Sequence, residues 1–293
     1  MKTNNENWIF VYKTATKKQI TQLTKGKTGF QTLLEQLYTH RNSEINQEIA
    51  GVIVRTCYSQ KIDITAFDSI NYPHTLKKIE NPPIVLYSRG IPTMDSEPTV
   101  AIVGSRKASK FALDYSYNLA RRFSENGVTV ISGMALGIDR AAHDGALSVD
   151  ARTITILGES INYKKRKKEN KDYIRNILKL GGWVLSEVPA IESYGPRAFN
   201  LANRNRITVG LADAVIVIEC EDKKHEGKKS GTQHTIDFAL AQNKPIYVPD
   251  TSIGKFNTAK YLSELSKHSR VEVINTKNGP DVLEQIINKN FLK

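Results

Sequence analysis

The sequence has only two cysteines in 293 residues and no long hydrophobic run. Cys57 and Cys220 lie far apart, so they form neither a disulfide framework nor the close spacing of a zinc knuckle. No apolar stretch approaches the roughly 18 residues of a membrane-spanning helix, and the N-terminus lacks the apolar segment of a signal peptide. These absences predict a cytoplasmic protein with buried, unreactive thiols and with no membrane, metal or cofactor requirement.

Acidic residues are outnumbered, with 42 Lys and Arg against 30 Asp and Glu and a formal net charge of +12. Such an excess favours association with a polyanion but carries no information about fold. The 40% hydrophobic content is sufficient for a sizeable core without crosslinks.

The chain divides into three predicted parts. Residues 1–65 place apolar side chains such as Leu33, Leu34 and Leu37 at helical spacing, which predicts a small helical domain. Residues 66–98 contain Pro82 and Pro83 and are expected to be a linking segment. Residues 99–293 alternate short β-branched runs with helical stretches, which predicts a Rossmann-like domain.

The predicted strands of this third part are Val100–Gly104, Val128–Ser132, Thr153–Leu157, Trp183–Ser186, Ala214–Glu219, Ile246–Val248 and Val271–Ile274, and a last helix is expected from Pro280. Several runs are continuously apolar, as expected for strands covered on both faces. The fold class is therefore α/β, a doubly wound and mostly parallel sheet preceded by a small helical domain. Ligands of such sheets bind beyond the carboxyl ends of the strands, so the loops there are the candidate site.

Five such loops carry small, hydroxyl or basic residues. Glycines let the backbone approach a ligand, helix N-termini favour anions, and arginine donates two hydrogen bonds to a phosphate. The candidate binding residues are Gly104, Ser105 and Arg106 in the first loop, Ser132 and Gly133 in the second, Tyr163, Lys164 and Lys165 in the third, Arg197, Arg204, Asn205 and Arg206 in the fourth, and Ser230, Gly231 and Thr232 in the fifth.

Each of these features also has a purely structural interpretation. The first loop is equally consistent with a plain tight turn, and it does not match the dinucleotide fingerprint GxGxxG. The basic run after Tyr163 is consistent with a solvated face. Arg204 and Arg206 cannot face the same way on a helix, so one of them is expected to brace a neighbouring loop or carboxylate. Asp139, His143 and Asp144 share a helical face and are expected to brace that helix.

Several motifs occur together in one order: VAIVGSR, ISGMALGIDRAAHDGAL, LSEVP, NRNRITVGLADAVIVIE and KSGTQHT. In this they resemble the DNA-processing protein DprA (Smf) family, over roughly residues 70–250. The resemblance implies a Rossmann-like domain that binds single-stranded DNA, forms a homodimer, and loads a RecA-type recombinase onto the strand during natural transformation. It implies no catalytic residues, and it places the GSR turn, the tyrosine-led basic loop and the RNR motif at the DNA.

The sequence departs from that pattern in two places. Lys164 replaces a proline of the basic loop, and Leu201-Ala202 replaces the Phe-Pro before the RNR motif. Both changes affect the expected DNA track.

Two other functions are compatible with the same fold. One is hydrolysis of nucleoside monophosphates, but Thr235 stands where those enzymes carry a glutamate that stabilises the transition state. The other is a nucleotide sensor, in which basic surface would be confined to one pocket.

Overall fold

The structure is a computed structural model, and it describes residues 4–93, 96–162, 166–191, 197–220, 229–253, 255–256 and 259–274. The helices are α1 Asn4–Thr14, α2 Lys17–Thr24, α3 Phe30–Tyr38, α4 Ser43–Ser59, α5 His74–Lys77, α6 Lys110–Glu125, α7 Ile138–Leu147, α8 Lys168–Lys179, α9 Ala198–Asn203, α10 Asn205–Leu211, α11 Gly231–Ala241 and α12 Ala259–Leu265. The strands are β1 Asp63–Ala66, β2 Val85–Gly90, β3 Thr99–Val103, β4 Thr129–Ser132, β5 Thr153–Leu157, β6 Trp183–Ser186, β7 Ala214–Val217, β8 Ile246–Pro249 and β9 Val271–Ile274.

All nine strands form one sheet in the order β1-β2-β6-β5-β4-β3-β7-β8-β9. The strands from β6 to β9 in that order pair in parallel, whereas β1 with β2 and β2 with β6 pair antiparallel. From β3 the chain winds outward first through β4, β5 and β6, and then on the other side through β7, β8 and β9. The loops after β3 and β7 therefore diverge and open a crevice at the carboxyl edge, where this class of sheet binds ligands.

Helices cover both faces of the sheet. On one face α10 and α11 contribute Ile207, Val209 and Ile236 to a core with the inward residues of β3 to β8. On the other face, Phe123 of α6 and Ala142 of α7 pack on Val100 and Ile102. Every residue of β3, β5 and β7 is buried, which explains their continuous apolar runs.

The N-terminal helices share a core with one end of the sheet. Trp8, Phe10 and Ile53 are buried in the same apolar cluster as Tyr87 of β2 and Val184 of β6. Trp8 also stacks on Phe30 with ring centroids 4.2 Å apart. The predicted N-terminal helices are thus confirmed, and they pack against the sheet.

The α/β, mostly parallel sheet predicted from the sequence is confirmed, and strands lie at all seven predicted positions. The sequence predicted no strand before residue 99, whereas β1 and β2 extend the sheet by an antiparallel pair. The segment 66–98, expected to be linking chain, therefore contributes β2 and α5 to the folded body. The division of the chain into domains stays a prediction, and the helix expected from Pro280 lies outside the described residues.

Among the described residues, no helix combines the length and apolar character needed to cross a lipid bilayer.

Candidate nucleic-acid interface

A cavity of about 710 Å³ lies at the carboxyl edge of the sheet, beside the crevice between β3 and β7. Four of the five predicted loops meet there. Nine of the fifteen predicted binding residues line it: Gly104, Ser105, Arg106, Gly133, Arg204, Asn205, Ser230, Gly231 and Thr232. The sequence thus predicted the location of this cavity and much of its wall.

The turn after β3 is held tightly against the neighbouring chain. Ser105 is buried, its hydroxyl oxygen accepts a hydrogen bond from the Lys107 amide at 3.0 Å, and its carbonyl accepts one from Ile138 at 3.2 Å. A Cβ on Gly104 would lie 2.6 Å from a side-chain carbon of Ile138, so glycine is required there. This packing leaves the Arg106 side chain exposed at the cavity.

The N-terminus of α6 is one of the helix starts that were expected to favour an anion. The Ser109 amide and hydroxyl both donate to the buried carboxylate of Glu219, at 3.0 and 2.8 Å. The hydroxyl oxygen of Ser109 also caps the helix by accepting from Ala112. A carboxylate of the protein therefore lies beside the start of this helix.

Arg204 lines the cavity but is committed to the protein. Its guanidinium donates to the Ile156 carbonyl at 2.8 Å and pairs with Asp139 at 3.5 Å, and both side chains are about nine-tenths buried. A Cβ on Gly133 would lie 1.8 Å from the guanidinium, so only glycine at this position leaves room for the Arg204 side chain. Burial raises the pKa of Asp139, while Arg204 acts in the opposite direction.

Arg206 was predicted to bind the ligand but faces away from the cavity. Its side chain is 7% exposed, pairs with Glu187 at 2.6 Å, and donates to the carbonyls of Asn81 and Asn203. The expectation that one arginine of the motif braces a carboxylate is confirmed, and the structure extends it to both. Asn205 between them donates to the Gly231 carbonyl at 3.0 Å and so links α10 to α11.

The start of α11 forms the opposite wall. Ser230 and Gln233 make a reciprocal capping box, in which Ser230 accepts from the Gln233 amide at 3.2 Å. A Cβ on Gly231 would meet nothing within 4 Å, so the backbone there faces open space. Lys229 pairs with Asp237 on the exposed side of the helix.

Two further predicted residues that the structure describes, Ser132 and Arg197, do not line the cavity. Ser132 is fully buried and donates to the Ile102 carbonyl at 2.6 Å, so its hydroxyl joins β4 to β3 instead of facing the cavity. Arg197 is exposed at the N-terminal end of α9, outside the cavity wall. Tyr163, Lys164 and Lys165 lie outside the described residues.

The residues of α7 brace the fold, as the sequence predicted. The fully buried His143 donates from Nε2 to the Gly133 carbonyl at 2.6 Å, because a carbonyl oxygen only accepts. Its Nδ1 lies 2.8 Å from the Thr153 hydroxyl. Burial lowers the pKa of His143 to about 4, so the ring is neutral at pH 7. Asp144 accepts from the Tyr173 hydroxyl at 2.7 Å.

Sequence reasoning did not assign the apolar wall contributed by α9. Ala198, Leu201 and Ala202 face the cavity, and Phe199 stands at its mouth with 76% of its surface exposed. The signal was present in their spacing of three and four residues, which places them on one side of a short helix.

Most arginines near this edge are neutralised within the protein. Buried or partly buried pairs join Arg204 to Asp139, Arg206 to Glu187 and Arg166 to Glu159. Arg166 belongs to the basic run for which a solvated face was the alternative interpretation, but its side chain is only 6% exposed. Among the described residues, no hydrogen bond or ion pair engages the Arg106 side chain, and no cluster of three potential metal ligands occurs. Arg106 is thus an exposed cation that the described part of the cavity presents to a ligand, whereas Lys229, which also lines the cavity, pairs with Asp237.

A doubly wound sheet whose diverging loops form a cavity with an exposed arginine defines a Rossmann-like α/β protein with a candidate binding site at its carboxyl edge. Residues 63–278 match the family model of the DNA recombination-mediator protein A. The chain belongs to this family.

Individual relatives agree with this assignment. The chain is 31% identical to Protein Smf of Borreliella burgdorferi over 68% of this chain and 59% of that protein. It is 34% identical to DNA processing protein DprA of Streptococcus pneumoniae over 62% of this chain and 61% of that protein. It therefore spans less than two thirds of the length of these curated relatives.

Two solved structures share the fold. The X-ray structure of DNA processing protein A from Streptococcus pneumoniae superposes with a TM-score of 0.71 at 27% identity, covering 97% of this chain and 99% of that one. DNA processing protein A from Helicobacter pylori gives a TM-score of 0.64 at 24% identity, covering 78% of this chain and 97% of that one. Its structural study concerned the single-stranded DNA binding mode of that protein.

Proposed function

We propose that this chain binds single-stranded DNA at the carboxyl edge of its sheet. The observation that carries the proposal is the meeting of four sequence-distant loops at one cavity with the exposed guanidinium of Arg106. A guanidinium beside backbone that a ligand can approach closely is suited to a phosphate. The exposed ring of Phe199 at the mouth is suited to stacking on a base.

Substitution of Arg106 tests the site directly. Arg106→Ala is expected to weaken binding of labelled oligo-dT by about 1–3 kcal/mol, the scale of a charge-assisted hydrogen bond. Arg121→Ala is the matched control, because Arg121 lies near the other end of α6, exposed and paired with Glu125. Equal losses in the two variants, measured by fluorescence anisotropy, would contradict the assigned site.

The same titration at two salt concentrations separates polymer binding from binding of a single nucleotide. For a single strand held by several phosphates, the logarithm of affinity falls with the logarithm of salt by about 0.7 per phosphate. A nucleotide sensor would instead bind a mononucleotide with the same affinity as oligo-dT. This alternative has one observation in its favour, since the cavity volume of about 710 Å³ is typical of small-molecule sites.

Nucleoside monophosphate hydrolysis has less support from the cavity. Among the described lining residues the single carboxylate is Asp139, which is already paired with Arg204. Thr235 also lines the cavity, where the hydrolases carry a glutamate. That the chain is not an enzyme stays a prediction, which an assay for base release would check.

We further propose that the bound strand is handed to a RecA-type recombinase, and that the chain acts as a cytoplasmic homodimer in natural transformation. Membership of a recombination-mediator family supports this proposal. Adding the protein to a recombinase and to strands coated with single-strand-binding protein is expected to speed filament formation. Sedimentation would test the dimer, and an unchanged rate of filament formation would contradict the mediator role.

A further inference from the structure

A second cavity of about 350 Å³ adjoins the first one. It lies where the carboxyl ends of β5 and β6, at Gly158 and Val188, meet Tyr12 and Lys13 of α1. Phe199 and Arg204 line both cavities, so the two are neighbours along the edge of the sheet. Among the predicted binding residues that the structure describes, Arg204 is the one that lines this second cavity.

Helix α9 forms the partition between the two cavities. Its apolar side, with Ala198, Leu201 and Ala202, lines the first cavity, whereas Asn200 and Asn203 line the second. Each set follows the spacing of three or four residues that places side chains on one side of a helix. The helix packs closely on the turn after β5, because a Cβ on Gly158 would lie 2.8 Å from a Leu201 methyl carbon.

The polar side chains of the second cavity differ in whether they already have partners within the protein. Glu187 is paired with Arg206 at 2.6 Å, and the Asn203 amide lies 3.4 Å from the same carboxylate. For the Asn200 side chain, no partner is found among the residues that the structure describes. A side-chain amide can both donate and accept hydrogen bonds, as the edge of a nucleobase does. An exposed aromatic ring beside it can stack on the face of the same base.

We propose that the second cavity holds a base of the same DNA strand whose backbone lies in the first cavity. The base contacts Phe199 and is hydrogen-bonded by Asn200, and Lys13 of α1 adds positive charge at the rim. The N-terminal helices thereby become part of the DNA track. This inference rests on the proposed single-stranded DNA binding, and it goes further by assigning a base-binding position to a second cavity beside the first.

A scan with abasic nucleotides tests this position. A single abasic residue is moved along a labelled oligo-dT strand of about 15 nucleotides, and affinity is measured for the wild type and for Asn200→Ala. In the wild type, loss of the base seated in the second cavity is expected to weaken binding about five- to a hundredfold, the range of base–aromatic stacking. Asn200→Ala alone is expected to cost about five- to tenfold on the intact strand.

The informative quantity is the coupling between the two changes. At one position of the abasic residue, its effect and that of Asn200→Ala are expected to be markedly less than additive, because both remove the same contact. At the other positions they are expected to add. Asn71→Ala, an exposed asparagine away from both cavities, serves as the matched control and should show additivity throughout.

The results separate failure of this inference from failure of the proposed function. Additivity of Asn200→Ala at every position, with oligo-dT binding that still depends on Arg106, would overturn the second base site and leave the function standing. If the wild type does not bind oligo-dT, the proposed function fails first. Circular dichroism of Asn200→Ala confirms that the variant is folded before its affinity is interpreted.

Discussion

Arg106 and Arg204 line the same cavity but differ in what surrounds each guanidinium group. Arg204 is enclosed by Asp139 and the Ile156 carbonyl, whereas Arg106 is exposed. The RNR motif identified Arg204 and Arg206 from the sequence. Their carboxylate partners could not be identified, because Asp139 and Glu187 lie 65 and 19 residues away and are brought near only by the fold.

His143 makes stability depend on pH in a defined window. Its pKa is about 4 in the folded protein against about 6.5 when unfolded, so the unfolded chain takes up more protons between these values. The contribution of the neutral ring is complete above pH 6.5 and is lost as the pH falls towards 4. We expect His143 to account for a loss of about 3 kcal/mol across that window.

Urea denaturation of the wild type and of His143→Gln at pH 7 and pH 4.5 measures this contribution. The difference in unfolding free energy between the two proteins is expected to shrink as the pH falls, because the variant lacks the titrating group. A difference that stays constant would show that the buried ring does not titrate as described. The comparison cancels the opposing effect of other groups, including the raised pKa of Asp139.

Among the elements, α6 illustrates how a helix start is fixed by a residue far away in sequence. Ser109 caps the helix and also donates to the buried Glu219, two residues after the end of β7. Ser109→Ala is therefore expected to cost about 2 kcal/mol in unfolding free energy, from the lost cap and from a buried carboxylate that loses a donor.

The cap of α2 provides the comparison. Thr16 caps that helix through a capping box with Gln19, but Thr16 is exposed and Gln19 is only partly buried. Thr16→Ala is expected to cost about 1 kcal/mol, the ordinary value for an N-cap. Equal losses from Thr16→Ala and Ser109→Ala in chemical denaturation would show that the bond to Glu219 adds nothing.

The elements also show where sequence patterns were sufficient. Strands β3 to β9 were predictable because each is a short apolar run between helical stretches. β1 has only four residues, DITA, and lies at the edge of the sheet, where partial exposure weakens the pattern. β2 pairs antiparallel with β6, whose first residue lies 93 positions after the last residue of β2, and local periodicity does not encode such a pairing.

At the scale of the molecule, the N-terminal helices and the sheet bury one another's apolar surface. Removal of residues 1–59 would expose Tyr87 and Val184, which now lie in one cluster with Trp8 and Ile53. The truncated chain is therefore expected to unfold at a lower urea concentration than the full chain, or to aggregate. Size-exclusion chromatography followed by denaturation measures this.

The outcome also tests the division into domains that the sequence suggested. An independent sheet domain would keep its midpoint of denaturation after truncation, and that result would contradict the shared core. The composition of residues 1–65 predicted their helices. It did not reveal that α1 contacts the sheet edge next to the binding loops, because this depends on how the two parts pack.

The location of the cavity followed from topology alone, since the carboxyl ends of parallel strands share an edge. The side chains that project into it were harder to predict. Ser132 and Arg206 have the right chemistry and lie in the right segments, yet both are turned into the protein. Residue type and spacing specify which loops meet, while the direction of each side chain depends on packing.

The enclosed ion pairs around Asp139, Glu187 and Glu159 have a practical consequence. Ions in solution screen charges on the surface much more than charges inside a protein. A high salt concentration is therefore expected to release a nucleic acid bound as proposed from the immobilised protein while the fold stays intact, so that the same column can be used again.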